Sequence, residues 1–140
     1  MNVVLVGCGA MSKAWLEAIR QNAGITIVGL VDLDADTARA RAREFDLESV
    51  TIGTSLDAVL DQTRPDAVFD VVVPAARRDV AMSAFAHNCH LLTEKPLADS
   101  WDNARAIVDT ARRAGRSSVL LLVKRGQAPE AFVGVNISSQ

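Results

Sequence analysis

Short apolar runs alternate with amphipathic stretches along most of the chain. Residues 3–6 are apolar at every position, which is typical of an inner parallel strand that is buried on both faces. The stretch that follows, residues 12–21, places Trp15, Ala18 and Ile19 at helical spacing. The same alternation of strand and helix signals recurs further along and predicts parallel strands joined by crossover helices.

The order of these signals is that of two mononucleotide-binding halves. It predicts an α/β, doubly wound parallel sheet, a Rossmann fold of about six strands in the order 3-2-1-4-5-6, within residues 1–123. Residues 124–140 form a tail of different composition, in which Ala131 to Ile137 give a weak signal for one more strand. The predicted strands cover residues 3–6, 25–31, 50–52, 67–73, 90–93 and 118–123.

Composition and charge indicate a globular protein of a reducing compartment. Hydrophobic residues make up 49% of the chain and the formal net charge is −2, which argues against nucleic acid or an anionic membrane as a partner. The longest apolar run, Val119 to Val123, is too short to span a bilayer, and the N-terminus lacks the features of a signal peptide. Cys8 and Cys89 show neither a metal-ligand spacing nor a disulfide framework. We therefore expect a cytoplasmic protein without a metal site.

Arginines occur in small groups, each with carboxylates nearby in the sequence. We interpret these groups as solvated helix faces. They are Arg39, Arg41 and Arg43, then Arg77 and Arg78, and finally Arg112 and Arg113.

A glycine-rich loop lies between the first predicted strand and the first predicted helix. Gly7 permits a tight turn there, and Gly9 lets the backbone approach a pyrophosphate with no side chain in the way. The helix that opens behind the loop offers free N–H groups and the positive end of its dipole. Ser12 occupies the third glycine position and is small enough for close packing of helix on strand.

The second predicted strand ends at Asp32. An acid at this point accepts hydrogen bonds from the adenosine ribose hydroxyls of a dinucleotide, and its charge repels the 2′-phosphate of NADP. Leu33 follows, where NADP-binding proteins often have Arg or Ser, so NAD is the predicted cofactor. Arg39 could reach a phosphate, which keeps NADP open as the less favoured cofactor.

Three segments together resemble the glucose–fructose oxidoreductase, inositol dehydrogenase and MocA family. They are residues 6–11, residues 31–34 and residues 90–98, and the last contains Glu94-Lys95-Pro96-Leu97-Ala98, the most specific of the three. The resemblance covers residues 1 to about 123 and implies a nicotinamide-dependent oxidoreductase that acts on a sugar or polyol hydroxyl or carbonyl.

The resemblance also implies roles for individual residues. Lys95 would be the catalytic residue, which hydrogen-bonds the reacting oxygen of the substrate, and Glu94 would contact a ribose of the cofactor. A cis peptide bond between Lys95 and Pro96 is consistent with such a functional turn. The predicted cofactor-binding residues are Gly7, Gly9, Ala10, Met11, Asp32, Val73, Pro74, Glu94 and Lys95.

The sequence departs from the family pattern in two ways. After the fourth strand the family usually has Thr-Pro and then a histidine, whereas this chain has Val73-Pro74, with Arg77 near the place of the histidine. The family also continues into a second α/β domain that binds the substrate and supplies a catalytic histidine. We expect that domain to be absent here, so that the chain binds cofactor with little or no turnover.

Two other hypotheses stay open at this point. The chain could be a stand-alone NAD-binding sensor or interaction module without catalysis, and an exposed edge strand or the tail could then form a homodimer. It could also be a Rossmann domain for another nucleotide or for S-adenosylmethionine, with Asp32 on the ribose, although Glu94-Lys95-Pro96 argues against this.

Overall fold

A five-stranded parallel sheet forms the centre of the protein. The computed structural model describes residues 1–123 and 131–138. The strand order is β3-β2-β1-β4-β5, which confirms the first five strands of the predicted order 3-2-1-4-5-6. The strands are β1 (Asn2–Val6), β2 (Thr26–Val31), β3 (Thr51–Gly53), β4 (Ala67–Asp70) and β5 (His90–Thr93).

Five helices connect and cover the strands in the described part of the chain. Asp34 caps α2 by accepting a hydrogen bond from the Asp36 N–H, and Ser100 caps α5 by accepting one from the Asn103 N–H. No helix of residues 1–123 or 131–138 is long and apolar enough to cross a membrane. The helices are α1 (Ala10–Arg20), α2 (Ala35–Glu44), α3 (Leu56–Thr63), α4 (Arg77–Ala86) and α5 (Trp101–Arg113), and a 3-10 turn (Pro74–Ala76) precedes α4.

The core has one apolar layer on each face of the sheet. Successive side chains of a strand point to opposite faces, so alternate residues of β1 enter different layers. Val3 and Leu5 pack with residues of α1 and α2, among them Leu16 and Ala38. On the other face, Val4 and Val6 pack with residues of α3 and α4: Val59, Leu60, Val80 and Ala84. Helices on both faces are what define a doubly wound sheet.

The predicted sixth strand does not join the parallel sheet. β6 (Ser118–Val123) pairs antiparallel with β7 (Ala131–Asn136), and the two form a separate sheet. All six residues of β6 find a partner in β7, whereas β5, the available edge of the parallel sheet, is only four residues long. Pairing with β7 therefore satisfies more of the backbone of β6 than pairing with β5 would.

The parallel strands end together at one edge. Val6 is in register with Val31 on one side and with Asp70 on the other, and Asp70 is in register with Thr93. The loops that follow β1, β2, β4 and β5 consequently emerge side by side. This is the edge at which open α/β sheets bind ligands.

Candidate cofactor site

A cavity of about 530 Å³ lies at this edge of the sheet. Its volume falls within the range of small-molecule binding sites. Four of the predicted cofactor-binding residues line it: Gly7, Gly9, Asp32 and Val73. Leu33, on which the predicted preference for NAD partly rests, lines it as well. The wall is completed by residues that the sequence did not indicate, namely Thr54, Leu56, Asp57, Ala76, Asp79, Val80 and Ser83, together with residues at the strand ends.

Gly7 makes the turn out of β1. Its φ is +92°, in the left-handed region that residues with a Cβ rarely adopt. A Cβ at this position would stand 2.9 Å from the backbone carbon and oxygen of Val71. The Gly7 N–H donates to the Val31 carbonyl at 2.8 Å, so the turn also closes the gap between β1 and β2. Only glycine satisfies both the dihedral angle and the space.

Gly9 is the N-cap of α1, and its surroundings are open. In the part of the chain that the structure describes, no atom lies within 4 Å of the place a Cβ would occupy, and no side chain caps the helix. The first N–H groups of a helix have no partner within it and attract anions. Ala10 and Met11, the first two residues of α1, are exposed beside this opening, and Ser12 behind them is fully buried. The site therefore fits a phosphate group in shape and in polarity.

The Asp32 carboxylate is fixed against the glycine loop. It accepts a hydrogen bond from the Cys8 N–H at 2.7 Å and another from the Asp34 N–H at 3.0 Å. The carboxylate thus lies where β2 ends, next to the loop that follows β1, and it is only partly buried. A carboxylate has about four acceptor positions, so two used by the backbone leave room for hydroxyl groups of a ligand.

Arg41 holds the same loop through hydrogen bonds to its backbone carbonyls. This corrects the interpretation of Arg41 as part of a solvated helix face. Only 8% of the residue is exposed. Its guanidinium donates to the Cys8 carbonyl from Nε and Nη2, and to the Gly9 carbonyl from Nη2 at 3.0 Å. Glu44 accepts a further hydrogen bond from Nη1. A residue of the second helix therefore holds the backbone of the glycine loop.

Glu94 and Lys95 lie on the loop that follows β5. The Glu94 carboxylate accepts hydrogen bonds from the Trp15 indole N–H at 2.9 Å and from the Lys95 N–H at 3.1 Å. The peptide bond between Lys95 and Pro96 is cis, as the sequence suggested. The Lys95 side chain is exposed, and among residues 1–123 and 131–138 it makes no hydrogen bond or ion pair. Its ammonium group is available to a ligand.

Arg77, at the start of α4, is the second buried arginine that was interpreted as solvated. It is 4% exposed, and its guanidinium reaches the backbone of the loops that follow β4 and β5. Arg41 and Arg77 share one sequence signal. Each lies on the apolar side of its helix, Arg41 with Ala38 and Ala42, and Arg77 with Val80 and Ala84. That position on the helix could have identified both as buried.

Asp70 is the last residue of β4 and has no solvent exposure. Its carboxylate accepts hydrogen bonds from the Val72 N–H at 3.0 Å and the Thr93 hydroxyl at 2.8 Å. The first of these bonds turns the chain, which is why β4 ends three residues before the predicted Val73. Burial raises the pKa of Asp70, against the opposing effects of these hydrogen bonds and of the Arg77 charge.

The two cysteines are buried thiols. Loss of solvation raises the pKa of Cys8 to about 12, with a further contribution from the Asp32 charge. Burial likewise raises the pKa of Cys89. Within the described residues, no group of three or more His, Cys, Asp or Glu side chains is arranged to hold a metal ion. Cys8 is a small spacer in the loop and has the character of an inert thiol.

The predicted site residues thus fall into two groups. Gly7, Gly9, Asp32 and Val73 line the cavity, with Ala10, Met11 and Pro74 directly adjacent in the chain. Glu94 and Lys95 do not line it. They occupy the neighbouring loop, which Trp15 and Arg77 connect to the rest of the site.

The parallel order, the glycine turn and the acid at the end of β2 define a Rossmann domain of the dinucleotide-binding class. The chain belongs to the GFO_IDH_MocA family, described as an oxidoreductase family with an NAD-binding Rossmann fold, whose model matches residues 1–121.

Three characterised relatives are dehydrogenases. The chain is 27% identical to 4-carboxy-2-hydroxymuconate-6-semialdehyde dehydrogenase of a Sphingobium species, over 82% of this chain and 36% of the relative. It is 31% identical to D-apiose dehydrogenase of Paraburkholderia graminis, over 79% of this chain and 29% of the relative. It is 29% identical to inositol 2-dehydrogenase of Klebsiella pneumoniae, over 82% and 34%. The chain spans about a third of the length of these relatives.

Solved structures of oxidoreductases also resemble this chain in fold. An NAD-binding oxidoreductase from Klebsiella pneumoniae superimposes with a TM-score of 0.74 at 28% identity, over 82% of this chain and 32% of the other. The WlbA dehydrogenase of Bordetella pertussis, solved with NADH and UDP-GlcNAcA, superimposes with a TM-score of 0.76 at 25% identity, over 82% and 33%.

Proposed function

We propose that the cavity binds NAD and that the chain is the cofactor domain of an NAD-dependent dehydrogenase. The observation that carries this proposal is the Asp32 carboxylate, which the Cys8 N–H holds beside the open N-terminus of α1. An acceptor for ribose hydroxyls and a cradle for phosphate are thereby adjacent, as a dinucleotide requires. The negative charge of Asp32 disfavours a 2′-phosphate, so the proposed preference is NAD over NADP.

Each predicted residue has a part in this proposal. The pyrophosphate would lie against Gly7, Gly9, Ala10 and Met11, where free N–H groups and the helix dipole stabilise its charge. Asp32 would accept hydrogen bonds from the adenosine ribose. Val73 and Pro74 would contact the nicotinamide end, and Glu94 the ribose there.

Lys95 is the proposed catalytic residue. When bound, the nicotinamide supplies the hydride acceptor or donor. The Lys95 ammonium would donate a hydrogen bond to the reacting oxygen of a sugar or polyol and stabilise the charge that develops on it. The names of D-apiose dehydrogenase and inositol 2-dehydrogenase support a sugar or polyol substrate. A third relative is named for a semialdehyde, so a substrate panel should also include an aldehyde.

We expect residues 1–140 alone to bind cofactor with little or no turnover. A dehydrogenase must fix its substrate and exclude water, and one open crevice provides little of either. Both histidines of the chain lie at the opposite edge of the sheet from Lys95: His87 follows α4 and His90 begins β5. Neither is placed to act as a base beside Lys95.

A second candidate function is an NAD-binding sensor or interaction module that does not catalyse. The sheet formed by β6 and β7 favours it, because Val133 and Val135 are exposed on β7 and strand edges invite pairing with another chain. Such a module would form a homodimer through this sheet.

Calorimetric titration of the purified chain with NADH and with NADPH tests the main proposal. We expect tighter binding of NADH, and a loss of affinity on Asp32→Ala of roughly 10- to 100-fold, the equivalent of a hydrogen bond to a charged group. Asp61→Ala removes an exposed acid at the opposite edge of the sheet and is the matched control. Absence of heat with either cofactor, from a protein shown to be folded, would refute an intact cofactor site.

The two candidate functions separate in a second experiment. Hydride transfer to or from any member of a panel of sugars, polyols and aldehydes supports the dehydrogenase. NADH binding without turnover is expected of residues 1–140 under either function, so the result that supports the sensor or interaction module is a dimer in analytical ultracentrifugation that Val135→Asp dissociates.

A further inference from the structure

Arg77 connects the two loops that follow β4 and β5. Its Nε and Nη2 donate to the Val72 carbonyl at 3.3 and 3.1 Å, and its Nη1 donates to the carbonyls of Glu94 and Pro96. A single buried side chain therefore satisfies three carbonyls from two segments that lie about 20 residues apart in the chain.

The chemistry of arginine explains why one residue can do this. A guanidinium carries five donors in a fixed plane, whereas a lysine ammonium is a compact point charge without such a fork. Within residues 1–123 and 131–138, Arg77 forms no ion pair, and its positive charge acts on the buried Asp70 carboxylate, opposing the rise in pKa that burial causes there. Loss of Arg77 would leave three buried or partly buried carbonyls to find other donors.

The contacts of Arg77 surround the residues assigned to the nicotinamide end of the site. Val72 immediately precedes Val73, and Glu94 and Pro96 flank Lys95 on both sides. The Glu94 carboxylate is held independently by the Trp15 indole. Arg77 holds the backbone on both sides of Lys95, and Trp15 holds the side chain of the neighbouring Glu94. The backbone from which the Lys95 side chain extends is therefore fixed in position.

The adenosine end is held by different residues. Arg41 binds the carbonyls of Cys8 and Gly9, and Asp32 binds the Cys8 N–H. None of the hydrogen bonds of Arg77 reaches these residues. The two ends of the site are therefore held by separate sets of hydrogen bonds.

We infer that Arg77 is a positioning residue that fixes the loops after β4 and β5 as one unit, so that binding of the nicotinamide half of the cofactor depends on it while binding of the adenosine diphosphate half does not. This inference rests on the proposed function of the cavity. It assigns a role to the position where the family pattern differs from this chain.

The test compares two probes on four proteins. NADH reports the whole cofactor, and ADP carries the adenosine and both phosphates without the nicotinamide riboside. Affinities for both are measured by calorimetry for the wild type, Arg77→Met, Arg77→Lys and the control Arg78→Met. Arg78 is the exposed neighbour, and its guanidinium pairs with Asp79 at the surface.

We expect Arg77→Met to lower the affinity for NADH by about tenfold or more, because a network of charge-assisted hydrogen bonds is lost. The affinity for ADP should change by less than about twofold. Arg77→Lys should fall close to Arg77→Met, because one ammonium cannot serve three carbonyls in a fixed plane. Arg78→Met should leave both affinities unchanged.

A second measurement needs no ligand. The chain has two tryptophans, and their indole N–H resonances separate the local from the global effect. Loosening the Glu94 loop should shift the Trp15 resonance and speed its exchange with water. Trp101, 75% exposed on α5, should not change. If Arg77→Met does not fold, the same two indole resonances are measured in Arg77→Lys. The wild type alone is also informative, since NADH should shift the Trp15 resonance more than ADP does.

The outcomes distinguish this inference from the proposed function. Equal losses of NADH and ADP affinity in Arg77→Met, no loss of either, or a Trp15 resonance unaffected by the substitution and by NADH would overturn the role of Arg77 and leave the cavity as a cofactor site. A wild type that binds NADH no more tightly than ADP would also overturn it. A folded wild type that binds neither probe would refute the proposed function, and the inference with it.

Discussion

The Arg41 guanidinium donates hydrogen bonds to the Cys8 carbonyl from two nitrogens, at 3.2 Å from Nε and at 3.1 Å from Nη2. Since Nη2 also binds the Gly9 carbonyl, two successive carbonyls of the glycine loop face α2. In a trans peptide the carbonyl and the N–H point in opposite directions. The N–H groups of Gly9 and Ala10 are thereby directed away from Arg41. An anion at the mouth of α1 would meet them there.

Replacement of Arg41 should affect both stability and binding. We expect Arg41→Met to lower the free energy of unfolding by about 1–3 kcal/mol, because the Cys8 carbonyl loses the two hydrogen bonds from Arg41, while the Gly9 carbonyl keeps those from the Ser12 N–H and hydroxyl. NADH affinity should fall as well, since the loop is no longer held. Denaturant unfolding and calorimetry measure the two effects. Arg43→Met, an exposed position on the same helix, is the control and should change neither.

Both thiols should resist alkylation in the folded protein. Reaction requires the thiolate. Burial raises the pKa of Cys8 to about 12 and also raises that of Cys89. Intact-mass spectrometry after iodoacetamide treatment at mildly alkaline pH should show no adduct on the native chain and adducts on both cysteines in urea. Rapid labelling of Cys8 without denaturant would contradict the buried environment assigned to it.

The order of the first five strands could be predicted because the alternation of strands and helices is that of a doubly wound sheet, and the position of the glycine loop could be predicted because it depends on local pattern. The apolar run of β1 followed at once by Gly7 and Gly9 requires only neighbouring residues. The pairing of β6 could not be predicted in this way, because the apolar pattern of a strand does not specify which edge it joins. β7, which takes that edge, gave only a weak signal of its own.

The roles of Arg41 and Arg77 were missed for a related reason. An arginine on a helix is usually solvated, and these two contact carbonyls that lie far away in the sequence, Arg41 at a separation of 33 residues and Arg77 at up to 19. The apolar residue three positions away, Ala38 for Arg41 and Val80 for Arg77, could have indicated burial. It could not indicate which loop each guanidinium would reach.

The buried Asp70 should make stability depend on pH in an identifiable direction. Burial raises its pKa above the ordinary 3.8, so just above that pH the folded protein binds more protons at this group than the unfolded chain does. The contribution of Asp70 to the free energy of unfolding therefore falls as pH rises through this window. Asp70→Asn should remove this component. Its stability relative to the wild type should be higher at neutral pH than near pH 4, as measured by urea denaturation. A relative stability that is independent of pH would show that the carboxylate is not penalised by burial.

The two glycines of the loop should respond differently to replacement by alanine. The change at Gly7 should mainly lower stability, and the change at Gly9 should mainly lower the affinity for NADH. At Gly7 the new Cβ would adopt a φ of +92° and meet the Val71 backbone at 2.9 Å. We therefore expect Gly7→Ala to cost at least about 1–2 kcal/mol of stability, the penalty of left-handed backbone, with further loss from the contact. At Gly9 the φ is −67° and the space is open, so Gly9→Ala should cost no more than about 1 kcal/mol, the disadvantage of alanine relative to glycine at an N-cap. Its methyl group would instead occupy the approach of the pyrophosphate, and NADH affinity should fall by about tenfold or more. Wild-type NADH binding by a folded Gly9→Ala variant would mean that the phosphates do not lie against this turn, because no atom of the described residues lies close enough to exclude a methyl group there.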